Sequence, residues 1–118
     1  MRWYGWESFR VFEMETKMNP LLGKWKQPEG QAYAGLTFTF KDDGTFESEY
    51  SEMGITSSGT YKVEGDVIHM DQDKHTFGLL GKFSGRFEVK GETLRMGFGN
   101  PGDPAPVDVS LARIYHKV

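Results

Sequence analysis

Apolar and polar residues alternate through most of the chain after residue 20, with the period of a β-strand. The clearest stretch runs from Leu36 to Lys41, and another runs from Phe46 to Tyr50. Because successive side chains of a strand point to opposite faces, such stretches predict strands with one buried and one wet face. The pattern predicts eight strands, at residues 23–27, 36–41, 46–50, 60–64, 67–72, 83–90, 93–98 and 107–117.

Short turns that contain glycine link several of these strands. Asp42-Asp43-Gly44, Glu64-Gly65-Asp66 and Lys90-Gly91-Glu92 have the composition of hairpin turns. Parallel strands need a long crossover, usually a helix, and residues 21–118 contain no helical pattern of sufficient length. We therefore expect an all-β fold, an eight-stranded antiparallel up-and-down β-barrel, because closure leaves no bare edge. A β-sandwich is the alternative fold.

The first 20 residues have a different pattern. Trp3, Trp6, Phe9 and Phe12 recur at every third residue, and Asn19-Pro20 indicates a break after them. We expect residues 1–20 to be an N-terminal aromatic segment that either caps one barrel end or makes a dimer contact. Residues 21–118 then form the barrel domain.

The last predicted strand carries a charge on its apolar face. Arg113 and Tyr115 share a face with three apolar residues, Val107, Val109 and Leu111. An unpaired buried charge is costly, so a buried Arg113 needs a partner. The indole of Trp25 is the best candidate, because a guanidinium stacks favourably on an aromatic face. This contact predicts that the first and last strands are neighbours and that the sheet closes.

Two short motifs at the ends of this pattern resemble the calycin group, which includes the lipocalins and the cytosolic fatty-acid-binding proteins. Gly23-Lys24-Trp25 resembles the Gly-x-Trp that opens the first barrel strand of that group, and residues 113–118 resemble the final strand of fatty-acid-binding proteins, with its Arg-x-Tyr. The hairpin around Asp43-Gly44-Thr45 is similar to those of small bacterial lipocalin-like domains.

The resemblance implies a barrel that holds a small apolar molecule. In fatty-acid-binding proteins the Arg-x-Tyr pair contacts a ligand carboxylate, which implies that role for Arg113 and Tyr115. In lipocalins the corresponding arginine instead covers the tryptophan and closes the barrel, which implies a structural role for Gly23, Trp25 and Arg113. Between Trp25 and Leu36 the chain has no room for the helical pair that covers the pocket of fatty-acid-binding proteins.

The residues predicted to point inward are bulky, and few of them carry polar atoms. A mostly apolar pocket with a few polar anchors is typical of a small-molecule site, although a filled core has the same composition. We expect non-enzymatic binding of a small hydrophobic ligand, and the alternative is a filled-barrel interaction module that dimerises or docks through its N-terminal segment. The candidate ligand-binding residues are Arg113, Tyr115, Tyr50, Tyr61, Phe38, Phe40, Phe87 and Met96.

Charge and chemistry exclude several other classes of function. The net charge is only -3 and no basic stripe exists, so we expect no nucleic-acid partner. There is no Cys, no charge-free apolar run near the start and no phosphate-binding Gly-rich loop before a helix, so we predict a cytoplasmic protein without membrane insertion or a cofactor. His69, Asp71, Asp73 and His75 share one parity, with a spacing compatible with a metal site. Ile68 and Met70 have the opposite parity and are expected on the inner face, which places His69 and Asp71 outside. We therefore predict neither a metal site nor a catalytic group.

Overall fold

The structure, a computed structural model, describes residues 19–118, which form eight β-strands. A single turn of 3-10 helix, Ser51–Met53, follows the third strand. The strands are β1 (Gly23–Lys26), β2 (Thr37–Phe40), β3 (Thr45–Tyr50), β4 (Ile55–Glu64), β5 (Val67–His75), β6 (Gly81–Lys90), β7 (Thr93–Phe98) and β8 (Arg113–Lys117).

The strands form one closed antiparallel barrel in sequence order. Each strand pairs with the next, and β8 returns to β1, where Trp25 lies opposite Lys117 and Lys26 lies opposite His116. The predicted all-β, eight-stranded up-and-down barrel is therefore confirmed. The predicted N-terminal cap or dimer contact falls on residues outside the described range, apart from Asn19 and Pro20.

Apolar side chains from every strand fill the barrel interior. Phe38 and Phe40 are stacked with their ring centroids 5.7 Å apart, and Tyr61 meets Phe40 edge-on at 5.0 Å. Burial of these rings away from water is the main favourable contribution to folding. The buried apolar residues are Leu21, Trp25, Phe38, Phe40, Phe46, Ile68, Met70, Phe87, Leu94, Met96 and Tyr115.

The last strand is shorter than the pattern predicted. It begins at Arg113, and the segment before it is a loop in which the Val107 and Leu111 side chains are 90% and 95% exposed. The Asp108 carboxylate accepts hydrogen bonds from the backbone N–H and the hydroxyl of Ser110, and such local bonds favour a turn over a sheet ladder. The prediction that Val107, Val109 and Leu111 form the buried face of a strand is therefore wrong.

The cation over Trp25 is Lys117 and not Arg113. The Lys117 ammonium lies 4.6 Å from the Trp25 ring centroid, whereas the Arg113 guanidinium lies 5.1 Å from the centroid of the Tyr33 ring. The register explains the difference, because Trp25 lies directly opposite Lys117 while Arg113 pairs with Met96. The first and last strands pair as predicted, but the contact over Trp25 is made by Lys117 and the predicted contact between Arg113 and Trp25 is wrong.

Backbone contacts hold both members of the Trp25–Lys117 pair. The indole N–H of Trp25 donates to the Leu21 carbonyl at 2.9 Å, and the ammonium of Lys117 donates to the Leu22 carbonyl at 2.6 Å. Gly23 has a φ of +115°, and a Cβ at this position would lie 2.5 Å from the Lys117 nitrogen. The positive φ therefore favours glycine here, and an added Cβ would displace the Lys117 ammonium from its position.

We expect Lys117→Met to lower the free energy of unfolding by about 1–2 kcal/mol, because it removes the charge over Trp25 and the hydrogen bond to Leu22. The matched control is Lys90→Met, since the Lys90 side chain is 80% exposed, and its effect should stay within about 0.5 kcal/mol. Urea denaturation followed by tryptophan fluorescence measures both. Equal effects of the two variants would contradict a role for Lys117 in closing the barrel.

Candidate functional site

The two ends of the barrel are built differently. The turns 41–44, 65–66 and 91–92 close one end, here called the far end, whereas the loops 27–36, 51–54, 76–80 and 99–112 surround the other end, here called the mouth. Large apolar side chains that are exposed in the described part of the chain lie in the mouth loops, with the exception of Val118. They are Tyr33, Met53, Phe77, Leu79, Leu80, Val107 and Leu111.

A cleft of about 450 Å³ opens at the mouth, and we call it the mouth cleft. It lies between the start of β8, the end of β7 and the loops 27–36 and 99–112. Its apolar wall is formed by Leu36, Phe38, Met96 and Phe98, and the loop residues Pro106, Leu111 and Ala112 add to its rim. Its polar groups are those of Gln27, Tyr33, Asp108, Arg113 and Tyr115.

Phe38 organises the rings at the base of the mouth cleft. Its centroid lies 5.8 Å from that of Tyr115, edge-to-face, and 6.3 Å from that of Phe98. Gly85 on β6 leaves the space that the Phe98 ring needs, because a Cβ there would lie 2.6 Å from the ring. Other protein groups therefore pack against the side of the apolar wall that faces away from the cleft. The shape of the wall does not depend on a ligand.

Gln27 carries the buried polar group of the mouth cleft. Its side chain is 1% exposed and follows β1 directly. Its Oε1 accepts a hydrogen bond from the backbone N–H of Tyr33 at 3.2 Å, whereas its Nε2 has no hydrogen-bond partner. Buried polar groups in native proteins are nearly always paired, so an unpaired amide N–H in a cleft is a feature that needs an explanation.

Tyr115 is the other buried polar residue of the cleft. Burial raises the pKa of its hydroxyl to about 12, although the nearby Gln27 side chain and the Arg113 charge act in the opposite direction. Desolvation penalises the phenolate, so Tyr115 is a neutral hydroxyl at every physiological pH. Gln27 and Arg113 line the mouth cleft together with Tyr115.

Arg113 lies at the rim of the mouth cleft. It is exposed, and its guanidinium lies over the Tyr33 ring. Tyr33 in turn meets Tyr50 edge-on, with ring centroids 6.0 Å apart. The Asp108 carboxylate also borders the cleft, and its hydrogen bonds with Ser110 hold its pKa below the ordinary value. The rim therefore carries one positive and one negative charge.

Four of the eight predicted ligand-binding residues line the mouth cleft, namely Phe38, Met96, Arg113 and Tyr115. Their role in binding stays a prediction. The structure places the other four elsewhere. Phe40 and Phe87 belong to the buried core. The Tyr61 hydroxyl donates to the Lys41 carbonyl at the far end, and Tyr50 contacts Tyr33 outside the cleft.

The sequence pattern indicated a mouth loop over residues 99–104, but it missed Gln27 and the contribution of residues 107–112 to the cleft. Gln27 has the same parity as Gly23 and Trp25, so the alternation that marked Trp25 as inward also marked Gln27. The prediction of a continuous strand over 107–117 hid the loop residues, because it placed their side chains inside the barrel. The hydroxyls of Ser48 on β3 and Ser57 on β4 also form a hydrogen bond.

The outer face of the barrel carries a chain of three polar residues. His69 lies between the Glu64 carboxylate at 2.8 Å and the Ser84 hydroxyl at 3.0 Å, and all three residues belong to adjacent strands. His69 and Asp71 are both exposed, on the side opposite Ile68 and Met70. Among residues 19–118, no three His, Asp or Glu side chains come together in a geometry that suits a metal ion.

No protein-family profile matches the chain, and no curated protein or solved structure matches it. The closed eight-stranded antiparallel barrel is consistent with a calycin-like fold. In the described part of the chain, no helix has the length and apolar character needed to cross a bilayer.

We expect stability to fall between about pH 10 and pH 12, with a contribution from Tyr115 of up to about 2–3 kcal/mol. The pKa of this hydroxyl is raised from 10.0 to about 12 in the folded chain. The stabilisation is therefore fully present below pH 10, where the hydroxyl is protonated in both the folded and the unfolded chain. It is lost as the pH rises through the pKa of the folded chain. Urea unfolding of the wild type and of Tyr115→Phe at both ends of this range measures the difference.

Tyr115→Phe should lose less stability than the wild type over the same pH range. A direct control is the ultraviolet titration of tyrosinate, in which the variant should lack the last-titrating group. Identical pH profiles for the two proteins would show that the Tyr115 hydroxyl is not shielded from water in the way that the structure indicates.

Proposed function

We propose that this barrel binds a small, mostly apolar molecule in the mouth cleft and does not alter it chemically. The observation that carries the proposal is the cleft itself, an apolar recess of about 450 Å³ with a small set of converging polar groups. Sites for small molecules are concave, mostly apolar and largely preformed, with volumes in this range. The rigid packing of Phe38 and Phe98 behind the cleft supports a preformed site.

The ligand sits at the mouth and not deep in the barrel. Phe38 forms the base of the cleft, and the ring of Phe40 is stacked beneath it with the two planes only 4° apart. Phe46 continues this aromatic layer toward the far end and is fully buried. The proposed site is therefore a shallow one that one or two rings can fill, and a long extended chain does not fit its shape.

The residues that line the cleft favour binding over catalysis. Among the described residues that line the cleft, the polar side chains include no histidine, cysteine or serine, which are the usual nucleophiles and general bases of enzymes. Tyr115 is held neutral by burial, and Asp108 is held as an anion by Ser110. Neither group has a pKa that is matched to proton transfer near neutral pH.

The alternative function, an interaction module that docks or dimerises through the N-terminal aromatic segment, concerns residues outside the described range. It stays a prediction. One observation in the described residues is compatible with it, namely the exposed apolar side chains of the mouth loops, of which Phe77 is 70% exposed. Exposed apolar groups of this kind are found both at ligand entrances and at protein interfaces.

We expect the wild-type protein to bind N-phenyl-1-naphthylamine, a neutral fluorophore that brightens in apolar sites, with a Kd of about micromolar order. Ala112→Phe should weaken this binding at least about tenfold, because the added ring occupies part of the cleft that Ala112 lines, at a cost of about 1.4 kcal/mol or more. Ala112 lines the cleft. Fluorescence titration measures both affinities.

Ala34→Phe is the matched control, because Ala34 lies on the neighbouring loop but borders a different surface groove. Its affinity for the fluorophore should equal that of the wild type. A wild-type protein that fails to bind the fluorophore, or an Ala112→Phe variant that binds as tightly as Ala34→Phe, would overturn the assignment of the cleft as the binding site.

A further inference from the structure

The amide of Gln27 has only one possible orientation. Its Oε1 accepts from the backbone N–H of Tyr33, and a flipped amide would place two donors against each other there. The Nε2 group must therefore lie on the opposite side, where it has no hydrogen-bond partner although the residue is 1% exposed. Gln27 thus presents donor hydrogens, and no acceptor, to its buried surroundings on the cleft side.

Gln27 and Tyr115 both line the mouth cleft, and both are buried. The Gln27 side chain is close enough to act on the pKa of the Tyr115 hydroxyl, and it stabilises the anion, which is the effect of a donor. The Gln27 amide makes no hydrogen bond to the phenol oxygen, but its donor hydrogens favour the orientation in which the hydroxyl proton points away from them. The cleft that both residues line is where this proton can meet an acceptor.

We propose that the ligand of the mouth cleft carries a neutral hydrogen-bond acceptor, the carbonyl oxygen of a ketone, aldehyde, ester or amide, which accepts the Tyr115 hydroxyl proton. Gln27 is the positioning residue that turns this proton toward the cleft. The inference rests on the proposed binding function and adds the chemical class of the ligand to it. The rest of the ligand is apolar, to match Leu36, Phe38, Met96 and Phe98.

The charges at the rim favour a neutral acceptor over a carboxylate. A carboxylate in the cleft would lose its hydration, and burial of a charge is costly without a dedicated partner. Arg113 is exposed and stacked on Tyr33, and the ionised Asp108 borders the same cleft and would repel a second anion. The buried donors, the Gln27 amide and the Tyr115 hydroxyl, are both uncharged.

Three naphthalenes of similar size test the proposal. They are 2-acetylnaphthalene, which has the carbonyl, 2-ethylnaphthalene, which lacks it, and 2-naphthoate, which replaces it with a charge. Equilibrium dialysis against the full-length protein at neutral pH gives the three dissociation constants. We expect the wild type to bind the ketone about tenfold more tightly than the ethyl compound, the usual effect of one buried hydrogen bond, and more tightly than the naphthoate.

Two variants and one matched control assign this preference to residues. Tyr115→Phe removes only the hydroxyl and should bind the ketone and the ethyl compound equally. Gln27→Met removes the amide and should lose most of the preference. Gln31→Met is the control, because the Gln31 side chain also accepts from a backbone N–H, that of Ile114 at 3.0 Å, but does not line the mouth cleft. Its preference should equal that of the wild type.

Infrared spectroscopy tests the hydrogen bond directly, with 2-acetylnaphthalene labelled with 13C at the carbonyl. The frequency of the carbonyl stretch would not change if Tyr115 had only a structural role. In the wild-type complex the infrared band should lie at lower frequency than in an aprotic apolar solvent, because the carbonyl accepts a hydrogen bond. In the Tyr115→Phe complex the band should return to the solvent value. An unchanged band in the variant would overturn the assignment to Tyr115.

The outcomes separate the two proposals. If none of the three naphthalenes binds the wild type, the binding function fails and the ligand class fails with it. If the ketone and the ethyl compound bind equally tightly, the cleft binds apolar molecules but the proposed carbonyl contact is wrong. If 2-naphthoate binds most tightly of the three, and Arg113→Met abolishes that binding, the proposal of a neutral acceptor is also wrong. The ligand would then be an anion bound by the Arg113 guanidinium.

Discussion

The structure depends on the closure of the sheet between its first and last strands. β1 and β8 share only two register pairs, and one of these is the pair of Trp25 and Lys117. The Trp25 indole fills the far end of the barrel, and the Lys117 ammonium covers the indole. The indole donates a hydrogen bond to the Leu21 carbonyl, and the ammonium donates one to the Leu22 carbonyl. A short strand pair is weak by itself, so the packing of these side chains decides whether the sheet is a barrel or a ribbon with two open edges.

The closure also explains where the candidate site lies. Rings from β1, β2 and β3 fill the far half of the interior, where Trp25, Phe40 and Phe46 are fully buried. The space that remains is at the mouth, where the long loop 99–112 replaces a strand and leaves β8 short. The resemblance noted in the sequence implied a ligand inside the barrel, whereas the proposed site is a shallow recess above an aromatic layer.

The fold was predictable from the sequence because one face of every strand is buried, which imposes the alternation that the eight segments show. The alternation fails where its physical cause is absent. Val107, Val109 and Leu111 alternate in a loop that the Asp108 side chain bends into a turn. The start of β4 was missed because Ser57, a buried polar residue, faces inward there and bonds to Ser48. The choice of Lys117 over Arg113 depends on register across the closure, which a one-dimensional pattern does not contain.

The mouth cleft straddles the junction between β1 and β8. Tyr115 and Arg113 belong to β8, and Gln27 lies just beyond the end of β1, so the polar groups of the cleft come from both sides of that junction. The junction has only two residue pairs, the fewest of any neighbouring strands in the barrel, so we expect local opening to be easiest there. A molecule bound in the cleft as proposed would contact both sides of the junction, and its binding would therefore slow amide exchange along β1 and β8.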